Sequence, residues 1–118
     1  MELRCLIVDD NASFLEEAAA LMRREGFEVA GVASTVDDAL QQTSELHPDL
    51  VLVDISLGTE SGFDFARRLA ESNGHAPRVI VVSTHSEADF ADLIDDAPVV
   101  GFLAKSELSG DAIRRMLS

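Results

Sequence analysis

The chain has no long apolar stretch, no second cysteine and few basic residues, and each shortage closes off a class of protein. No apolar run approaches the roughly 20 residues that a membrane-crossing helix needs. Met1-Glu2-Leu3-Arg4 does not open a basic segment followed by an apolar signal core, so no signal peptide is read. No membrane association is expected, and the cytoplasm is the expected compartment. The single cysteine, Cys5, excludes an internal disulfide and a multi-cysteine zinc site, and its apolar surroundings mark it as a small buried hydrophobe. Nine basic residues face 22 acidic ones, for a net charge of −13. A chain so short of clustered Lys and Arg is not expected to grip a nucleic acid backbone. Internal repeats, linkers and low-complexity segments are absent as well. What remains is 118 residues that are 47% hydrophobic, enough for one packed domain over 1–118.

Apolar runs alternate with helical spacing along the whole length. Leu3 to Val8 is nearly continuous in apolar residues and reads as a strand covered on both faces. Phe14, Leu15, Ala18, Leu21 and Met22 share one face of a helix over about Ser13 to Glu25, with Ser13 and Glu16 as a capping box and Gly26 as the stop. Phe27 to Ala33 is a second strand. A helix over Val36 to Leu46 follows, opened by Thr35 and Asp38, with Pro48 beyond its end. Leu50 to Val53 forms a third strand ending on Asp54. Gly58, Ser61 and Gly62 mark a loop before a helix over Phe63 to Glu71. Val79 to Val82, a short helix over Glu87 to Ile94, a strand over Val99 to Ala104 and a helix over Asp111 to Leu117 complete the series. Five βα units in alternation predict a parallel sheet with helices on both faces.

Ligands of such sheets bind beyond the carboxyl ends of the strands. Here the first strand ends in Asp9-Asp10, the third in Asp54, the fourth in Ser83-Thr84 and the fifth in Lys105. An aspartate at one strand end is often only a turn or a helix cap, and Asp10 or Asn11 alone fits that description. Lys105 alone could be an ordinary surface lysine. Four strand ends sending polar groups to one edge is a different matter. Three carboxylates at that edge repel one another, and a divalent cation and a lysine relieve the repulsion. The donors are hard oxygens without His or Cys clustering, which favours magnesium over zinc.

These residues resemble the receiver domain of two-component response regulators over essentially the whole chain. The motifs that carry the resemblance are Leu6-Ile7-Val8-Asp9-Asp10-Asn11, Pro48-Asp49-Leu50-Val51-Leu52-Val53-Asp54, Val79-Ile80-Val81-Val82-Ser83 and Gly101-Phe102-Leu103-Ala104-Lys105. The resemblance implies a flavodoxin-like, three-layer doubly wound (βα)5 fold with a five-stranded parallel sheet in the order 2-1-3-4-5. It implies that Asp54 takes a phosphoryl group from a phosphohistidine on a sensor histidine kinase. Asp9, Asp10, Asp54 and the backbone carbonyl of Ser56 would hold Mg2+, Asp10 directly and Asp9 directly or through water. Lys105 would pair with a phosphoryl oxygen, and the Ser83 hydroxyl would move to hydrogen-bond another. Phe102 stands where the family has its switch aromatic, with plain core packing as the competing role. The implied readout is the surface of the fourth helix, fifth strand and fifth helix, used for partner binding or a homodimer. Ser56, Thr84 and His85 are placed to tune how water reaches an acyl phosphate, whereas His47 and His75 read as surface residues.

The sequence departs from the family pattern at Ser106 and Gly58, where proline is common, and at Asp95-Asp96-Ala97-Pro98-Val99-Val100 before the fifth strand. Two other functions compete. One is a magnesium-dependent phosphohydrolase with an aspartate nucleophile, but such enzymes carry a second aspartate two residues on, where this chain has Ser56. The other is a receiver-like interaction module that works without phosphorylation; those usually lose part of the acidic pair, the acceptor or the lysine, all kept here. No turnover enzyme is expected. No output segment is read after the receiver, which fits a single-domain regulator or part of a longer DNA-binding protein.

Overall fold

Alternation of side chains along the strands decides how this molecule is layered. The computed structural model describes residues 3–71, 77–84, 92 and 97–117. Among these, the strands are β1 (Arg4–Val8), β2 (Glu28–Ala33), β3 (Leu50–Asp54), β4 (Ser56–Leu57), β5 (Glu60–Ser61), β6 (Arg78–Ser83) and β7 (Gly101–Ala104). The helices are α1 (Ala12–Arg24), α2 (Val36–Leu46), α3 (Gly62–Glu71) and a C-terminal helix (Gly110–Leu117). Five strands pair in parallel in the order β2-β1-β3-β6-β7. With the two-residue strands β4 and β5 set aside, this is the expected 2-1-3-4-5 arrangement.

Successive strand residues point to opposite faces, so each apolar run feeds two cores. Leu6, Val8, Val51, Val53, Val79 and Val81 face one way and pack with Val36 and Ala39 of α2 and with Phe63, Phe65, Ala66 and Leu69 of α3. Cys5, Ile7, Leu50, Leu52, Ile80 and Val82 face the other way, against Ala18, Ala19 and Met22 of α1 and Ile113 of the C-terminal helix. Cys5 to Val8 and Leu50 to Val53 are all 0% exposed, which is why these strands read as continuous apolar runs rather than alternating ones. Burial pushes the Cys5 thiol up to about 11, so it is an inert part of this core.

Helix ends explain where the chain turns back toward the sheet. Gly26, at φ 92, ends α1 with paired bonds from the Phe27 N–H to the Met22 carbonyl and from the Gly26 N–H to the Arg23 carbonyl. The Thr35 hydroxyl accepts from the Asp38 N–H, as the sequence suggests, and α2 keeps its expected limits. At α1 the expectation fails: the cap is Asn11, whose Oδ1 accepts from the Phe14 N–H, so the helix starts at Ala12 and Ser13 lies within its first turn. Asn caps as well as Ser, and it stands at the point where β1 has already ended.

Four further differences remain, and all but the start of the last strand lie on the carboxyl side of the sheet. The loop expected around Gly58 is a hairpin, with β4 and β5 antiparallel and Gly58 at φ 65 in its turn. Gly62 opens α3 rather than preceding it. The last strand starts at Gly101, because Val99 bonds back to the Ala97 carbonyl in a turn and Val100 is 43% exposed. A short 3-10 turn over Lys105–Glu107, not anticipated, leads out of β7. The helix expected over Glu87 to Ile94 lies outside the described residues apart from Asp92. No described helix is long and apolar enough to cross a membrane.

Candidate functional site

The strand ends place Asp9, Asp10, Asp54, Ser83 and Lys105 along one rim. Asp9 extends β1 by one residue, its N–H bonded to the Ala33 carbonyl of β2, and its side chain is wholly buried. Its Oδ1 accepts from the Asn11 N–H at 2.9 Å, closing a tight turn into α1. Its Oδ2 lies 2.6 Å from Lys105 Nζ. That contact is a charge pair out of hydrogen-bond alignment, so this buried oxygen has no hydrogen bond among the described residues. Asp10 is exposed, and its Oδ2 accepts from the Gly58 N–H of the hairpin turn at 3.2 Å.

Asp54 sits between these groups. Its Oδ1 accepts from the Ser56 N–H at 3.4 Å and its Oδ2 lies 3.5 Å from Lys105 Nζ. Burial raises its carboxyl above the ordinary carboxylate range, and the Asp9 charge raises it further. Lys105 and the Ser56 N–H pull the other way without cancelling the rise. Oxygens of Asp9, Asp10 and Asp54 all fall within 4.8 Å of one another. Three carboxylates against one ammonium leave two negative charges uncompensated. That deficit, the unbonded Asp9 Oδ2 and the all-oxygen donor set fit a hard divalent cation such as magnesium.

The cleft beside Asp54 has a volume of about 480 Å³ and is lined in part by Ser56, Gly58, Thr59, Ser83, Thr84 and Lys105. Ser83 is buried at the end of β6, and Thr84, next to it, is exposed. Ser56 is exposed in β4. Phe102 is buried, 8% exposed, in the core shared with Val81 and Phe63. His85 and His75 lie outside the described residues, and His47 is an exposed residue ending α2.

Several contributors to the rim carry little sequence signal. Gly62 is one: a Cβ there would meet the Asp54 carbonyl oxygen at 2.4 Å, so only glycine lets α3 start so close to the end of β3. The Gly62 N–H bonds to the Ile55 carbonyl and pins the far end of the hairpin. Phe14 is another, since its ring lies 4.2 Å from Lys105 Nζ. Its helical spacing marks it as core, and only the fold brings it to the lysine.

The carboxyl edge of this five-stranded doubly wound sheet thus holds an acidic cluster, a buried hydroxyl and a lysine together. The chain belongs to the response regulator receiver domain family, whose model matches residues 5–117. It is 33% identical over 111 residues to "Transcriptional regulatory protein PdtaR" of Mycobacterium tuberculosis, across 93% of this chain and 53% of that protein. It is 36% identical over 94 residues to "DNA-binding response regulator MtrA" of Mycobacterium leprae, across 80% of this chain and 40% of that protein. The chain thus spans about half the length, or less, of these curated relatives. Among solved structures, the signal receiver domain of the NarL response regulator of Mycobacterium tuberculosis superposes with a TM-score of 0.84 at 23% identity, covering 99% of this chain and 98% of that one. A LuxR-family response regulator from Aurantimonas sp. gives 0.84 at 26% identity, covering 98% and 81%. Receivers of this family work with histidine kinases and are not turnover enzymes in the ordinary sense.

Proposed function

We propose that this chain is a phosphoacceptor switch, one receiver unit over 1–118, in which Asp54 takes a phosphoryl group from a phosphohistidine of a sensor histidine kinase. The observation that carries this reading is the position of Asp54 between Lys105 Nζ and an open cleft, with two further carboxylates within reach. An Asp54 oxygen attacks phosphorus, the P–N bond breaks, and the electron pair leaves with the imidazole nitrogen. Phosphoryl transfer of this kind depends on placement and charge neutralisation rather than on covalent help from many groups. The raised Asp54 carboxyl supplies a more basic, and so more nucleophilic, oxygen once it is ionised.

Asp9, Asp10, Asp54 and the Ser56 carbonyl would hold magnesium, which when bound neutralises charge on the transferred group. Lys105, whose Nζ lies 2.6 Å from Asp9 and 3.5 Å from Asp54, takes a phosphoryl oxygen. Ser83 lines the same cleft and donates its hydroxyl to another. Modification adds about −1.5 to −2 charges at the rim. Phe102, packed in the core beside Val81 and Phe63, readjusts when Ser83 moves toward that charge. The altered surface around β7 and the C-terminal helix, with the segment before β7, then binds a partner or a second copy of the chain. Thr84, Ser56 and His85 set the lifetime of the acyl phosphate.

Incubation with Mg2+ and acetyl phosphate, read by intact mass, tests this. The wild type is expected to gain one phosphoryl group and Asp54→Asn none. Equal labelling of both overturns the assignment of Asp54, and rapid turnover of phosphate esters would mark a phosphohydrolase instead.

A further inference from the structure

Lys105 is the only lysine in the chain; the other eight basic residues are arginines. Its side chain is 15% exposed, and its ammonium is bounded on three sides: by Asp9 at 2.6 Å, by Asp54 at 3.5 Å and by the ring of Phe14 at 4.2 Å from the centroid. We propose that Phe14 is a positioning residue for Lys105, its ring face holding the ammonium at the mouth of the Asp54 cleft. The proposal rests on the phosphoacceptor reading of Asp54 and adds a residue to it.

Lysine is a flexible side chain. A four-carbon stem carrying a compact charge does not hold one geometry by itself. Pairing with Asp9 alone would draw Nζ toward the fully buried carboxylate and away from the cleft. An aromatic face attracts a cation through its quadrupole and brings no negative charge. The ring therefore restrains Nζ without competing as an anion for the charge that the phosphoryl group is to meet. A carboxylate in the same place would restrain the lysine by occupying it.

The ring is itself fixed to the rim. The Phe14 N–H donates to Asn11 Oδ1 at 3.2 Å, and the Asn11 N–H donates to Asp9 Oδ1 at 2.9 Å. One short run of backbone thus ties together the acid that pairs with Lys105 and the ring that faces it. Phe14 is half-buried and packs at the margin of the core beneath α1. Ordinary packing explains part of its burial. It does not explain why the ring lies under the one lysine in the chain.

Two readouts test the role. Protein carrying ε-13C-lysine gives a single Lys105 methylene signal, which the ring current of Phe14 should move upfield. The second readout is the initial rate of phosphorylation from acetyl phosphate at saturating Mg2+. Phe14→Leu keeps an apolar side chain of similar reach; it is expected to lose the upfield shift and to slow phosphorylation by about two- to thirtyfold, the range of a cation–π contact. Phe14→Tyr, which keeps the ring, should retain both the shift and the rate, while the melting temperatures of the two variants stay close. An unchanged rate or an unchanged signal in Phe14→Leu overturns the proposal, and so does a rate that Phe14→Tyr fails to restore. If wild type takes no phosphoryl group, the phosphoacceptor reading fails instead, and the methylene signal still decides whether the contact exists.

Discussion

The bodies of the strands and their carboxyl ends differ by a single residue in sequence and by almost everything in chemistry. Leu50 to Val53 are wholly buried, apolar and packed on both faces. One step further, Asp54 sits in a half-buried place with two further carboxylates close by and a lysine at 3.5 Å. β1 repeats the pattern, with Cys5 to Val8 sealed in the core and Asp9 buried just past them. The strand bodies hold the fold together. The rim keeps charges in contact at a cost to stability, and it can do so because the apolar layers beneath it are rigid enough to carry that cost. On the function proposed, a bound cation and an arriving phosphoryl group would act at the rim.

The comparison breaks most sharply inside the sheet. Leu52→Ala removes a fully buried side chain from the core under α1 and should lower stability by about 2–5 kcal/mol in denaturant unfolding. The folded fraction should still accept a phosphoryl group. A loss under about 1 kcal/mol would mean that the strand bodies are not the main source of stability.

At the rim the sign reverses. Because the Asp54 carboxyl is raised in the folded chain by burial and by Asp9, the native state binds more protons than the unfolded one between the two pKa values, and stability falls as pH rises through that interval. Asp54→Asn lacks this penalty. Without magnesium it should therefore melt at a higher temperature than wild type at neutral pH, with the difference closing as pH falls to about 4. Thermal melts over that range check it, and a variant less stable than wild type at neutral pH contradicts it.

The smallest effect separates two candidate caps of α1. Asn11→Ala should cost about 1 kcal/mol, because it leaves the Phe14 N–H without its acceptor, whereas Ser13→Ala should be close to neutral. Equal losses would favour the capping box at Ser13 after all.

Much of this was legible without coordinates, for reasons that differ by region. Continuous apolar runs can be satisfied only by strands covered on both sides, so β1, β3 and β6 were readable to within a residue or two. α2 was readable to its ends because Thr35, with Asp38 three residues on, and Pro48 bracket it. α1 had two short polar candidates for its cap, and spacing alone chose Ser13 over Asn11. The hairpin was hidden because two-residue strands carry no periodicity. Its link from the Gly58 N–H to Asp10 spans 48 residues of sequence. Helical spacing placed Phe14 on the buried face of α1 but could not show that this face passes under Lys105 at its first turn. The five rim residues were readable as a set because each one follows an apolar run. Their mutual distances, and the burial of Asp9 against the exposure of Asp10, needed the fold.

On the function proposed, Asp54 itself carries the phosphoryl group. Treatment with Mg2+ and acetyl phosphate, followed by borohydride reduction and peptide sequencing by mass spectrometry, converts an aspartyl phosphate to homoserine at the modified position. Homoserine at position 54 is the predicted result. Homoserine at another carboxylate, or none in protein that has gained a phosphoryl group, would contradict it.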